Sequence, residues 1–314
     1  MKIAFVVDPL HSFKIYKDST YAMLVEANAR GHELYVLRQE DLVWKRNKVV
    51  GIARQVTLRN HPKDWYYLDP ALEMALTQFD AVVMRKDPPF DMEYVTSTWL
   101  LEIAVGQGAR VFNDPRAIRD FSEKLAIAKF SQFTAPTLVT RLAIQIDAFI
   151  DEHHDVILKP LDGMGGMSIF RVREDDPNRN VIIETLTNLG TRSIMAQRYI
   201  PEISEGDKRI LLIGGKPVPY CLARIPKAGE SRGNLAAGGT GVCRALSDRD
   251  REIAETLAPE LMSRGLLLVG LDVIGNYLTE VNVTSPTCFR EITDQSGFNV
   301  AAMFMDALEA ASGA

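Results

Sequence analysis

The sequence predicts an α/β protein: a parallel-sheet domain at the N-terminus, followed by α+β subdomains. Three observations carry this. Short apolar runs at residues 3–7, 34–37 and 81–84 alternate with helical patterns, the mark of a parallel sheet. From Glu123 onward the texture changes to shorter strands, hairpins and linkers. Two glycine-rich stretches, one at 163–166 and one within 226–241, interrupt that second part. The chain of 314 residues is long enough for two or three packed subdomains, and we place them at 1–122, 123–200 and 201–314.

Residues 3–7 read as a short buried strand. Ser19 or Thr20 is expected to cap a helix that runs to about Arg30, with Gly31 in the C′ position. Strands follow at 34–37 and 81–84, the latter closed by Arg85-Lys86-Asp87-Pro88-Pro89. A helix is expected at 94–105 and a strand at 110–112, and Asn113-Asp114-Pro115 opens the next helix. Ligands of parallel sheets gather at the carboxyl ends of strands, where Asp8 and Arg85 stand; a turn cap or surface ion pair explains either equally well.

In the second part we expect a helix around 124–130, a strand at 137–140 and a helix at 143–153. A strand–loop–strand unit spans 157–170, and a strand at 194–197 leads into a linker at Tyr199-Ile200-Pro201. The third part opens with a hairpin, 209–213 and 218–225, about the turn Gly214-Gly215. The stretch 226–241 has five glycines and reads as a long mobile loop of the kind that is usually functional or disordered. A helix at 248–264 precedes strands at 267–274 and 278–283.

Composition narrows the function. A net charge of -5 gives no footing for nucleic acid. No segment approaches the ~20 apolar residues of a membrane span. Three cysteines, none in a C-x-x-C pair, suit a reducing cytoplasm. The pair His153-His154 reads as a solvated helix end rather than a metal site, because adjacent side chains diverge on a helix.

Three features bear chemistry. The cluster Gly163-Met164-Gly165-Gly166 is neither a Walker A loop nor a dinucleotide fingerprint, and alone it is a hairpin turn. Lys159 before it, with Asp162 and Ser168 around it, makes a phosphate cradle the competing reading. Glu280 and Asn282 share one strand face and offer hard oxygen donors suited to magnesium, or simply form a polar strand face. Asp272 joins them only if the 275–277 connection is odd-numbered or the ladder carries a bulge. Arg209 and Arg224 share a face of their hairpin, as an ion-pair set or as a clamp for a transferring phosphoryl group.

In order, Lys124, Lys159, the glycine loop, the linker, the two arginines, the flexible loop and Asp272…Glu280-x-Asn282 resemble the ATP-grasp superfamily. The stretches "MRKDPPFD", "NDPRAIRDFSEKL", "LKPLDGMGGMSIFRV", "RGNLAAGG" and "TEVNVTSPTCFRE" resemble more closely the prokaryotic glutathione synthetase family, over nearly the whole chain. The resemblance implies an ATP-grasp fold behind the N-terminal parallel-sheet domain. It implies ATP contacts at Lys124, Lys159, Gly163, Met164, Gly165, Gly166, Gln197, Tyr199, Ile200 and Asp207. Asp272, Glu280 and Asn282 would hold magnesium, or manganese in its place. Arg209 and Arg224 would stabilise the transferring phosphoryl group, with Arg232 on a closing lid, and Arg85, Ser285 and Arg290 would contact substrate carboxylates. Arg198 has no role on this reading. The implied reaction joins γ-glutamylcysteine and glycine through an acyl phosphate, with ATP as substrate and ADP and phosphate released. The implied setting is cytoplasmic, as a homo-oligomer of tetrameric type with small-molecule partners only and no nucleic acid or membrane. The rival is another ATP-grasp carboxylate–amine ligase, of the D-alanine–D-alanine or glutamate-adding type.

Overall fold

The computed structural model describes residues 1–163, 165–230, 232–235 and 238–313. Its strands form three sheets, one of eight, one of four and one of five strands.

The first sheet comprises β1 (Lys2–Val6), β2 (Glu33–Leu37), β3 (Leu42–Lys45), β4 (Lys48–Leu58), β5 (Tyr66–Leu68), β6 (Leu72–Ala75), β7 (Ala81–Met84) and β8 (Val111–Phe112). Its centre is parallel, β2-β1-β7-β8, as the alternating pattern predicts. The antiparallel extension β3–β6 has no counterpart in the sequence reading. Strands β3, β5 and β6 are short and part-exposed, and β4, though eleven residues long, mixes buried with exposed positions, so none carries the unbroken apolar run that marks β1 and β7. Helices α1 (Ser19–Ala29), α2 (Met92–Gly106) and α3 (Pro115–Asp120) accompany this sheet.

The cap of α1 is Asp18, whose carboxylate accepts from Tyr21 N at 2.8 Å, and not Ser19 or Thr20. Both hydroxyls are committed elsewhere. Ser19 Oγ accepts from Phe289 N, and Thr20 Oγ1 accepts from Arg85 Nε. With both hydroxyls turned to tertiary partners and both residues inside the helix, the cap falls to the carboxylate before them.

The second sheet, order β11-β10-β12-β9, is built from β9 (Thr137–Thr140), β10 (Asp155–Pro160), β11 (Phe170–Arg173) and β12 (Ile194–Arg198). Helices α4 (Ala143–His153) and α5 (Arg179–Thr187) contribute Ile146, Ile150, Ile183 and Leu186 to a core with Val156, Leu158, Ile194 and Ala196. Strand alternation then turns Ile157, Lys159 and Gln197 to the opposite face. The segment expected as a helix at 124–130 is a 3-10 stretch, Leu125–Phe133, broken at Phe130.

The third sheet, order β15-β14-β13-β16-β17, holds β13 (Asp207–Ile213), β14 (Lys216–Ile225), β15 (Thr240–Ala245), β16 (Leu268–Ile274) and β17 (Tyr277–Asn282). Strand β15 begins inside the stretch read as loop, so that loop ends at 239. One face packs Ile210, Leu212, Val269 and Leu271 against α6 (Asp248–Ser263) and the 125–133 segment. The other face is split along its length. Leu211, Ile213, Val218 and Leu268 meet α7 (Phe289–Ser296), α8 (Val300–Ser312) and the apolar side of the first sheet. Arg209, Arg224 and Asp272 occupy the far end of that same face, and there the site lies.

Candidate active site

A cavity of about 620 Å³ is walled by residues of the second and third sheets together with loop and helix-start residues beside the first, among them Asp8, Asp18 and Arg85. Its architecture follows from ladder register. Arg209 pairs with Asp272 across β13–β16, and Asp272 pairs with Glu280 across β16–β17, so three charged residues form one row. The row behind it pairs Asp207 with Arg224. A register shift in β13–β14 leaves the parity unchanged, so both arginines share the face expected for them. The β16–β17 connection is a two-residue turn, Ile274 pairing with Tyr277, and a bulge at Thr279 then restores Asp272 to its place opposite Glu280.

Arg209 Nε donates to Asp272 Oδ1 at 2.5 Å and Nη2 to Oδ2 at 3.1 Å; Arg224 Nη2 lies 2.9 Å from Oδ2. Burial raises the Asp272 carboxyl, but the two guanidiniums outweigh it and hold the group well below the usual carboxylate range. Asp207 fares differently. Arg224 reaches Oδ2 alone, and Oδ1 is buried with no donor among the described residues. Burial lifts its carboxyl to about 6, against the pull of Arg224.

Lys124 Nζ stands 2.9 Å from Glu280 Oε1 and also donates to the Gly163 carbonyl. Lys159 is buried, its side chain making a single long contact among the described residues, 3.4 Å to Gln197 Oε1, and burial lowers its ammonium. Two lysines thus face the carboxylate row from the second sheet and its approach segment. Gly163, Gly165 and Gly166 line the cavity mouth; Met164 lies outside the described residues. Arg232 Nη1 donates to Gly166 O at 3.2 Å, so the two glycine-rich loops meet. A Cβ on Gly166, whose φ is +82, would stand 2.7 Å from Asn234 Oδ1.

Gln197, Tyr199 and Ile200 line the far end with Asp207, and the Arg171 guanidinium sits 3.6 Å over the Tyr199 ring. Arg198, without a role in the sequence reading, donates through Nη2 to Tyr277 Oη at 3.1 Å and joins β12 to β17. Asn282 lines the wall, and its Nδ2 donates to Gly270 O, which leaves Oδ1 as an acceptor. Arg85 is buried, donates to Thr20 Oγ1 and Pro286 O, and keeps Nη1 without a partner among the described residues. Ser285 lines the same region, whereas Arg290 does not line the cavity; its Nη1 donates to Ile15 O at 3.3 Å.

The cavity also takes in Asp18, Lys17, Cys288 and Glu123, none of which the sequence reading placed in the site. Glu123 carried a visible signal, since it adjoins Lys124. The others stand in loops and helix starts whose partners are far away in the chain.

One lysine from the second sheet and one from its approach segment, a row of arginines and carboxylates on the third, and glycine loops between them define an ATP-grasp enzyme. The fold agrees. Across 99% of both chains the D-cycloserine synthetase DcsG superposes with a TM-score of 0.69 at 15% identity. The ATP-grasp ligase PsnB, complexed with minimal precursor, Mg and ADP, gives 0.63 at 17% identity over 99% of this chain and 98% of its own.

Residues 1–119 match the prokaryotic glutathione synthetase N-terminal domain and residues 123–297 its ATP-grasp domain. The glutathione synthetase of Ralstonia nicotianae is 66% identical over 314 residues, 100% of this chain and 97% of that protein. That of Nitrosomonas europaea is 63% identical over 312 residues, 98% of each, and that of Vibrio parahaemolyticus 53% over 309, again 98% of each. The chain belongs to the prokaryotic glutathione synthetase family and is an ATP-dependent peptide ligase.

Proposed function

We propose that the chain joins γ-glutamylcysteine to glycine, with ATP converted to ADP and phosphate, and so makes glutathione. The observation that carries this is the Arg209–Asp272–Glu280 row facing Lys124 and Lys159 across one cavity. A carboxylate is a poor electrophile, so the dipeptide's terminal carboxylate first takes the γ-phosphoryl group of ATP. Glycine's amine then attacks the acyl phosphate, the new C–N bond forms, and phosphate leaves.

Each residue has a part in this. Lys124 and Lys159 neutralise ATP phosphates, and the glycine loop covers them with backbone N–H groups. Gln197, Tyr199 and Ile200 receive the base, and the free Asp207 Oδ1 accepts from the ribose. Arg209 and Arg224 hold charge on the phosphoryl group in transfer. Arg85 Nη1, buried and unpartnered, suits a substrate carboxylate, with Ser285 beside it and Arg290 further out. Arg232 closes the lid and keeps water from the acyl phosphate.

Asp272, Glu280 and Asn282 fit a hard divalent cation, magnesium or manganese, because the bulge gathers two carboxylates and an amide oxygen on one cavity-facing surface. Such an ion supplies charge neutralisation at the transferring phosphate. We read the protein as a cytoplasmic homo-oligomer, tetrameric in type, that works on small molecules alone; light scattering on the purified protein tests the assembly.

The reaction is tested by ADP release with Mg-ATP plus γ-glutamylcysteine alone, glycine alone, then both. Release only with both, matched by glutathione, is expected. Release with a different carboxylate and amine instead would keep the ligase chemistry and overturn the substrates.

A further inference from the structure

We propose that Glu123 is a positioning residue for the ligation, holding segment 282–285 so that a metal donor at one end and a substrate contact at the other keep fixed spacing. The inference rests on the function proposed above. Strand β17 ends at Asn282, and ladder pairing ends with it. The next residues lead to Ser285, and their backbone groups need partners from elsewhere.

Two side chains from the distant segment 113–123 supply them. Glu123 Oε1 accepts from Val283 N at 3.0 Å, Thr284 N at 3.2 Å and Thr284 Oγ1 at 2.8 Å. Asn113 Nδ2 donates to Val283 O at 2.9 Å and to Leu268 O at 2.7 Å, while its Oδ1 accepts from Leu268 N. Val283 is thus gripped from both sides. Upstream, Val281 N donates to the Glu123 carbonyl at 2.8 Å, and the adjoining Lys124 pairs with Glu280. The dipeptide Glu123-Lys124 therefore touches residues 280, 281, 283 and 284 in turn.

A carboxylate is costly in this place. Glu123 is enclosed, and both burial and the nearby Glu280 carboxylate raise its carboxyl. No Lys or Arg ion pair offsets it among the described residues. Only a group that accepts several hydrogen bonds at once closes the turn out of β17, and a carboxylate oxygen does so. If this staple fails, Asn282 and Ser285 move together, because one short segment carries both.

The test compares E123A and E123Q with the unmutated chain. E123A is expected to lower kcat by about 100-fold, the scale of a 1 Å misplacement. It should also raise the KM for γ-glutamylcysteine and the half-saturating Mg²⁺ concentration together, with ADP affinity in EDTA unchanged. E123Q keeps an acceptor oxygen and should recover to within roughly tenfold of the unmutated chain, with smaller parallel rises in both constants. If E123A does not fold, E123Q carries the test alone. A variant that loses melting temperature while both constants stay put overturns the proposal and leaves Glu123 a structural cap. Failure of the unmutated chain to ligate the pair would instead overturn the proposed function, since ADP binding with and without Mg²⁺ reads the staple independently of turnover.

Discussion

Asp272 lies directly opposite Glu280, and a single bulged residue, Thr279, puts it there. The ladder begins with Ile274 against Tyr277 and Val273 against Leu278. Continued regularly, it would pair Asp272 with Thr279 and send Glu280 to the other face. The bulge shifts the count by one, and Thr279 Oγ1 donates to Asp272 O at 3.1 Å to secure it. The carboxylate row, and everything proposed to bind it, depends on that shift.

Glu280→Gln tests the row. The substitution keeps the side chain's shape but removes a charge and the partner of Lys124. We expect kcat to fall by about 100-fold or more, with the melting temperature within a few degrees of the unmutated chain. Near-normal kcat would take Glu280 out of the metal site.

Arg232→Ala tests the lid. Its guanidinium bonds Gly166 O and so joins the two glycine-rich loops. Without it the cavity closes poorly, and water competes with glycine for the acyl phosphate. ADP formed per glutathione should rise above unity. An unchanged ratio would count against a protective lid.

Gly233→Ala tests how closely the second loop approaches the arginine clamp. A Cβ at this position would stand 2.3 Å from the Arg224 carbonyl oxygen, a backbone atom that cannot swing aside. We expect local strain of about 1–3 kcal/mol and a loss of at least about tenfold in kcat. Wild-type turnover would show that this approach is not needed in the working state.

The two buried acids predict opposite pH signatures. Asp272 is depressed in the folded chain, so its stabilisation is present above the unfolded value near 3.8 and fades as pH falls below it. Asp207 is raised to about 6, so its contribution is full below 3.8 and is lost as pH rises through 6. The melting-temperature gap between the unmutated chain and Asp272→Asn should therefore shrink in acid below pH 4. The corresponding gap for Asp207→Asn should shift in favour of the unmutated chain between pH 6 and pH 4. At neutral pH, Asp272→Asn weakens its hold on two buried guanidiniums and should destabilise by about 3–5 kcal/mol. Parallel pH profiles for the two variants would contradict the asymmetric sharing of Arg224.

The sequence by itself determined the parts whose signals are local. Apolar runs placed β1, β2 and β7, alternation put Arg209 and Arg224 on one face, and Glu280-x-Asn282 declared a shared face by spacing alone. The order of lysines, glycine loop, arginines and acids was enough to indicate the family. Only the tertiary structure decided the rest. The strands β3, β5 and β6 are short and part-exposed, and β4 and β15 interleave exposed with buried or half-buried positions, so none shows an unbroken apolar run. The α1 cap fell to Asp18 because Ser19 and Thr20 serve Phe289 and Arg85. Whether Asp272 meets Glu280 hung on one bulged residue, and the grip of Glu123 and Asn113 on Val283 joins positions far apart in the chain. Local patterns report which face a side chain takes within its own element; register and long-range hydrogen bonds depend on which elements meet, and that is settled only when the whole chain packs.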